Sequence, residues 1–120
     1  MRKILIVDDE PNIVMTLEYA FKKKDFEVFI ARDGSEALTI LEKHIPDVVL
    51  LDIMMPKVDG YETLKWIREN TALQETKVVF VTAKNKASDI EKGLKLGANK
   101  YITKPFSIKK IVSEIHELLS

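Results

Sequence analysis

The sequence predicts an α/β fold, a parallel sheet with helices on both faces, and three observations carry that expectation. Five short apolar runs are mostly continuous rather than alternating and are rich in Val and Ile, as in strands buried on both faces. The segments between them place apolar residues at helical spacing. The two kinds of segment alternate strictly, which calls for right-handed crossovers between parallel strands.

Taken in order, the first run is Ile4–Val7. A first helix follows, with Pro11 suited to its first turn and Ile13, Leu17, Ala20 and Phe21 at i, i+4, i+7 and i+8. Val28–Ile30 is the second strand; after Gly34-Ser35, the stripe Ala37, Leu38, Leu41 and Ile45 marks the second helix. Val48–Leu51 precedes a third helix carrying Leu64 and Ile67 and ending near Asn70. Val78–Val81 precedes a short fourth helix with Ile90 and Leu94, stopped by Gly97. Tyr101–Ile102 precedes the clearest amphipathic segment, Ile108, Ile111, Val112, Ile115, Leu118 and Leu119. Trp66 falls off the apolar stripe of its helix. Residues 1–120 are expected to form one domain, since 120 residues is near the common domain size.

Composition narrows the function. The chain is 46% hydrophobic and 32% charged, ordinary for a globular protein, and it has no Cys, which excludes disulfides and thiolate metal sites. Basic and acidic residues number 19 each, so the net charge is zero and no basic excess points to direct nucleic-acid binding. No apolar run approaches the roughly 18 residues of a membrane span. Met1-Arg2-Lys3 and the short run after it lead straight into acidic residues, unlike a signal peptide. A cytoplasmic location without membrane contact is expected.

In an open α/β sheet, ligands bind beyond the carboxyl ends of the strands. Those ends read Asp8-Asp9-Glu10, then Asp52, then Thr82-Ala83, then Thr103-Lys104-Pro105. Each residue has an ordinary use: Asp9 could cap a helix, Asp52 could sit in a turn before Pro56 and Gly60, and Thr82 and Lys104 could be plain strand-end and surface residues. Their conjunction on matched strand ends is what argues for a site. Crowded carboxylates raise one another's pKa unless a cation joins them, and oxygen ligands without Cys favour a hard cation such as Mg2+. Glycine-rich phosphate loops are absent. A metal together with Lys104 would neutralise a phosphoryl group, which is most of what phosphoryl transfer asks of a protein.

These residues resemble the receiver domain of bacterial two-component response regulators, the chemotaxis-regulator type included. The matching stretches are Ile6-Val7-Asp8-Asp9-Glu10, Leu50-Leu51-Asp52-Ile53-Met54-Met55-Pro56 with Asp59-Gly60, Val81-Thr82-Ala83, and Gly97-Ala98 through Tyr101 to Lys104-Pro105-Phe106. The resemblance covers essentially the whole chain. It implies a flavodoxin-like (βα)5 domain with strand order 2-1-3-4-5. It also implies that Asp52 accepts a phosphoryl group from a kinase phosphohistidine and that Asp9, Asp8, Asp52 and the Met54 carbonyl hold Mg2+. Thr82 and Lys104 would bond the phosphoryl oxygens, and Tyr101 would be the aromatic switch partner of Thr82. The Lys104–Pro105 peptide is expected to be cis.

Lys84 and Met54, two residues beyond Thr82 and Asp52, occupy positions that flank the phosphoryl group in the family. His44 and His116 lie on helices with no metal-like neighbours. The implied partners are a sensor histidine kinase or phosphotransfer protein and a downstream effector, reached through the surface of the fourth helix, fifth strand and fifth helix. A phosphorylation-dependent homodimer stays open; Asn99-Lys100, where many DNA-binding relatives are acidic, argues against a dimer of their type. Such a chain is a switch, catalysing only transfer onto itself and slow hydrolysis. The alternative is an Mg2+-dependent aspartyl-phosphate phosphohydrolase, which typically carries its nucleophile on the first strand in a D-x-D arrangement absent here. A flavodoxin-like electron carrier is weaker still, because the first loop is acidic.

Overall fold

A computed structural model describes residues 1–120. Strands β1 (Lys3–Val7), β2 (Glu27–Ala31), β3 (Val48–Leu51), β4 (Lys77–Thr82) and β5 (Lys100–Thr103) alternate with helices α1 (Pro11–Lys23), α2 (Gly34–Leu41), α3 (Gly60–Glu69), α4 (Ala87–Lys95) and α5 (Ile108–Leu119). The sheet is parallel, in the order β2-β1-β3-β4-β5 that the resemblance implies. A single 3₁₀ turn, Thr71–Leu73, was not foreseen.

Successive strand side chains point to opposite faces, so each continuous apolar run feeds two cores. Leu5, Val49, Leu51 and Phe80 pack with Ala37, Leu41, Leu64 and Ile67 of α2 and α3. Ile4, Ile6, Leu50 and Val81 pack with Leu17, Phe21, Ile111 and Ile115 of α1 and α5. Burying each of these larger side chains contributes about 1.5–3 kcal/mol. Asp33, Asp59 and Ser107 cap α2, α3 and α5 by accepting from Glu36 N, Glu62 N and Lys110 N.

Three apolar residues depart from the sequence expectation. Ile45 is 57% exposed because α2 stops at Leu41 and Pro46 disfavours helical backbone at the residue before it. Leu94 is 46% exposed, and the buried residue of α4 is instead Gly93, where a Cβ would sit 3.0 Å from the Phe80 ring. Trp66 is half-buried against the α2/α3 core rather than off it. His44 stacks on Phe29, with ring centroids 4.6 Å apart.

Arg68 ties the sheet to its loops. Its guanidinium donates to the carbonyls of Gly97 (3.0 Å) and Thr76 (2.9 Å) and to Asn99 Oδ1 (3.0 Å), and Asn99 Oδ1 also accepts from Val78 N. Burial lowers the Arg68 pKa, and neutral oxygens rather than a carboxylate satisfy its donors.

Candidate functional site

Parallel register builds the site. Val7 pairs with Leu51 and Leu51 with Phe80, so the residues following β1 and β3 emerge side by side; Asp52 N also donates to Val7 O at 3.0 Å. Thr82 pairs with Thr103, and Lys104 N donates to Thr82 O at 2.8 Å, which brings Lys104 to the same edge. Gly60 makes room: a Cβ there would overlap the Asp52 carbonyl. The Lys104–Pro105 peptide is cis, as expected.

Asp8 and Asp52 are buried, at 3% and 4% exposure. The Lys104 ammonium donates to Asp8 Oδ2 at 2.8 Å, to Glu10 Oε1 at 2.8 Å and to Asp52 Oδ2 at 3.3 Å. Asp8 Oδ1 accepts from Glu10 N at 2.9 Å, and Asp52 Oδ1 from Met54 N at 3.2 Å. Burial raises the Asp8 pKa against the opposing hydrogen bonds from Lys104 and Glu10 N. Burial alone would lower the Lys104 pKa; its hydrogen bonds to Asp8 and Glu10 and the charges of Asp52 and Asp8 outweigh that and raise it.

The structure groups Asp8, Asp52 and Lys104 but does not bring Asp9 into the cluster. Asp9 is exposed, whereas Glu10, absent from the sequence-predicted set, joins it. The backbone explains the exchange. Glu10 is the N-cap of α1 with extended φ and ψ (−90°, 109°), and its side chain makes no capping bond and reaches Lys104 instead. The following proline holds that extended conformation, the one signal in the sequence that could have singled out Glu10. Asp9 does not cap α1 either.

Asp8, Glu10 and Asp52 each offer an oxygen within 4.8 Å of the others. That all-oxygen, anionic donor set suits a hard divalent cation. The Met54 carbonyl, which accepts no hydrogen bond, is a further free donor in the loop after Asp52.

Thr82 is fully buried and its Oγ1 accepts from Lys84 N at 3.4 Å. Tyr101 is half-buried; its hydroxyl donates to Lys84 O at 2.9 Å and its ring packs on Phe80 at 5.8 Å. Thr82 and Tyr101 are therefore linked through the backbone of Lys84. Burial, with Tyr61, Asp89 and Asp52 nearby, pushes the Tyr101 phenol up to about 12.

Residues 4–116 match the family described as the response regulator receiver domain. The chain is 40% identical over 118 residues to the alkaline phosphatase synthesis transcriptional regulatory protein PhoP of Bacillus subtilis, covering 98% of this chain and 48% of that protein. It thus spans about half of that relative's length. Among solved structures it is similar to the Vibrio cholerae chemotaxis protein CheY4 (TM-score 0.93, 28% identity, 99% of each chain). It is also similar to the receiver domain of Francisella response regulator 1452 (TM-score 0.91, 32% identity, 99% of this chain and 97% of that one). The sheet order, the acidic cluster at the strand ends and these similarities agree: the chain belongs to the response regulator receiver domain family of two-component signalling.

Proposed function

We propose that Asp52 is the phosphoacceptor of a cytoplasmic signalling switch, working with Mg2+. One observation carries the reading: Asp52 is buried beside a second carboxylate and shares with it the ammonium of Lys104. A carboxylate so placed, with its second oxygen held by Met54 N, is oriented to act as a nucleophile. One Asp52 oxygen forms the bond to phosphorus as the bond from phosphorus to the donor's imidazole nitrogen breaks, leaving an acyl phosphate on Asp52 and a free histidine on the kinase. Lys104 then bonds a phosphoryl oxygen, giving up part of its hold on Asp8. Asp8, Asp52 and the Met54 carbonyl would hold the metal, with Asp9, exposed in the loop after β1, turning toward it and Glu10 as an extra carboxylate at the cluster. When bound, Mg2+ supplies the positive charge that offsets the carboxylates and the incoming phosphoryl oxygens.

The Thr82 hydroxyl bonds another phosphoryl oxygen. Doing so withdraws it from Lys84 N, whose carbonyl holds the Tyr101 hydroxyl. Tyr101 thereby conveys the change to the surface of α4, β5 and α5, where an effector reads it. The donor is a histidine kinase or phosphotransfer protein, and the chain itself does not bind nucleic acid. No helix is long and apolar enough to cross a membrane.

The test is acetyl phosphate with Mg2+, read by intact mass. The wild type should gain one phosphoryl group, chelation should abolish the gain, and Asp52→Asn should gain little or none. Equal labelling of Asp52→Asn would refute the assignment, and labelling that persists under chelation would refute the metal.

A further inference from the structure

The charges along the face between α1 and α5 are distributed unlike those of the phosphorylation site. Arg2, Lys23, Lys24 and Lys109 line one groove between α1 and α5, and none has a carboxylate within 4.0 Å. Asp25 is the one acid lining it. The helix dipole of α1 accounts for Lys23 in its last turn and Lys24 at its C-cap, but not for Arg2 or Lys109. Arg2 precedes β1 and bonds the Leu119 carbonyl at 3.0 Å. Lys109 stands in the first turn of α5, which holds no acid and where a cation opposes the dipole.

Between these cations the groove has apolar surface from Tyr19, Phe26, Ile108 and Val112. Tyr19 is 67% exposed, with Lys23 Nζ 5.2 Å from its ring centroid. The groove volume of about 1170 Å³ exceeds the roughly 300–1,000 Å³ typical of small-molecule pockets. A flat bilayer would leave a concave groove unfilled, and a phosphate backbone would make no use of the aromatic and aliphatic floor.

We propose that this groove docks an acidic amphipathic segment of a partner protein. The segment's apolar side chains would rest on Tyr19, Phe26 and Val112, and its carboxylates would meet Arg2, Lys23, Lys24 and Lys109. Arg2 and Phe26 precede their strands, whereas Asp8 and Asp52 follow theirs, so a strand length of about 17 Å separates this end of the groove from the acidic cluster. Docking here is independent of the role given to Asp52.

The experiment titrates an amphipathic Leu/Glu helical peptide of about 15 residues, and a Leu/Lys peptide of the same apolar pattern, into the 120-residue chain while amide chemical shifts are followed. The Leu/Glu peptide should shift the amides of Tyr19, Phe26 and Val112 and weaken with added salt. The double substitution Lys24→Glu with Lys109→Glu, both at exposed positions, should weaken binding roughly tenfold with amide dispersion unchanged. Equal binding of the Leu/Lys peptide, or unweakened binding of Leu/Glu to the double variant, would overturn the proposal. So would shifts of these amides by phosphatidylglycerol vesicles or duplex DNA where the Leu/Glu peptide produces none.

Discussion

Lys104 donates to Asp8, Glu10 and Asp52, so one ammonium offsets the most crowded negative charge in the molecule. Lys104→Ala leaves two buried carboxylates uncompensated and should cost about 3 kcal/mol in metal-free buffer. Mg2+ should then stabilise the variant more than the wild type, because the metal meets no competing ammonium; equal stabilisation in thermal melts would count against a shared site. The same variant should still label with acetyl phosphate but fail to pass the change to α4, β5 and α5. Tyr101 provides a pH test. Its folded pKa is raised above the ordinary 10.0 to about 12, so its stabilising contribution is complete below the unfolded value and is lost as pH rises through about 12. Tyr101→Phe, which removes the bond to Lys84 O, should cost about 1 kcal/mol at neutral pH. That difference should shrink in strongly alkaline buffer, where the wild-type phenol ionises and stops donating; a constant difference across the range in chemical denaturation would contradict the bond's role.

Among the helices, α3 and α4 differ most in how they are held. α3 buries Gly60, Thr63, Leu64 and Ile67, whereas α4 buries only Gly93. Amides of α4 should therefore exchange with deuterium faster than those of α3, and equal protection would contradict the weaker hold on α4. Gly93→Ala forces a Cβ to 3.0 Å from the Phe80 ring and 3.2 Å from the Tyr101 ring. It should shift the Tyr101 ring signals as well as lower stability by about 1–3 kcal/mol, measured by NMR and chemical denaturation. Helix spacing alone made Ile90 and Leu94 the inner face of α4. The aromatic pair Phe80 and Tyr101 fills the space beneath, so a glycine is what fits there, and only tertiary packing reveals it. Ile45 shows the converse, a local effect of Pro46 that spacing overlooked.

Across the whole molecule, the alternation of apolar runs and helical stripes was enough to read α/β class, element order and the strand ends that converge. Strand order came through the family resemblance, because apolar periodicity says nothing about which strands are neighbours. Asp8, Asp52, Thr82 and Lys104 were legible since each directly ends or follows a strand. That Glu10 rather than Asp9 lies beside Lys104 was not, because it turns on the backbone angles at one N-cap. A net charge of zero likewise conceals an acidic cluster at the carboxyl ends of the strands and unpaired cations along the groove between α1 and α5. The most direct test of the central claim locates the phosphoryl group. Borohydride reduction of acetyl-phosphate-treated protein converts an aspartyl phosphate to homoserine, which peptide mass mapping can place. Modification at Asp52 alone is the expected result; modification at Asp8, Asp9 or Glu10 with Asp52 intact would contradict it.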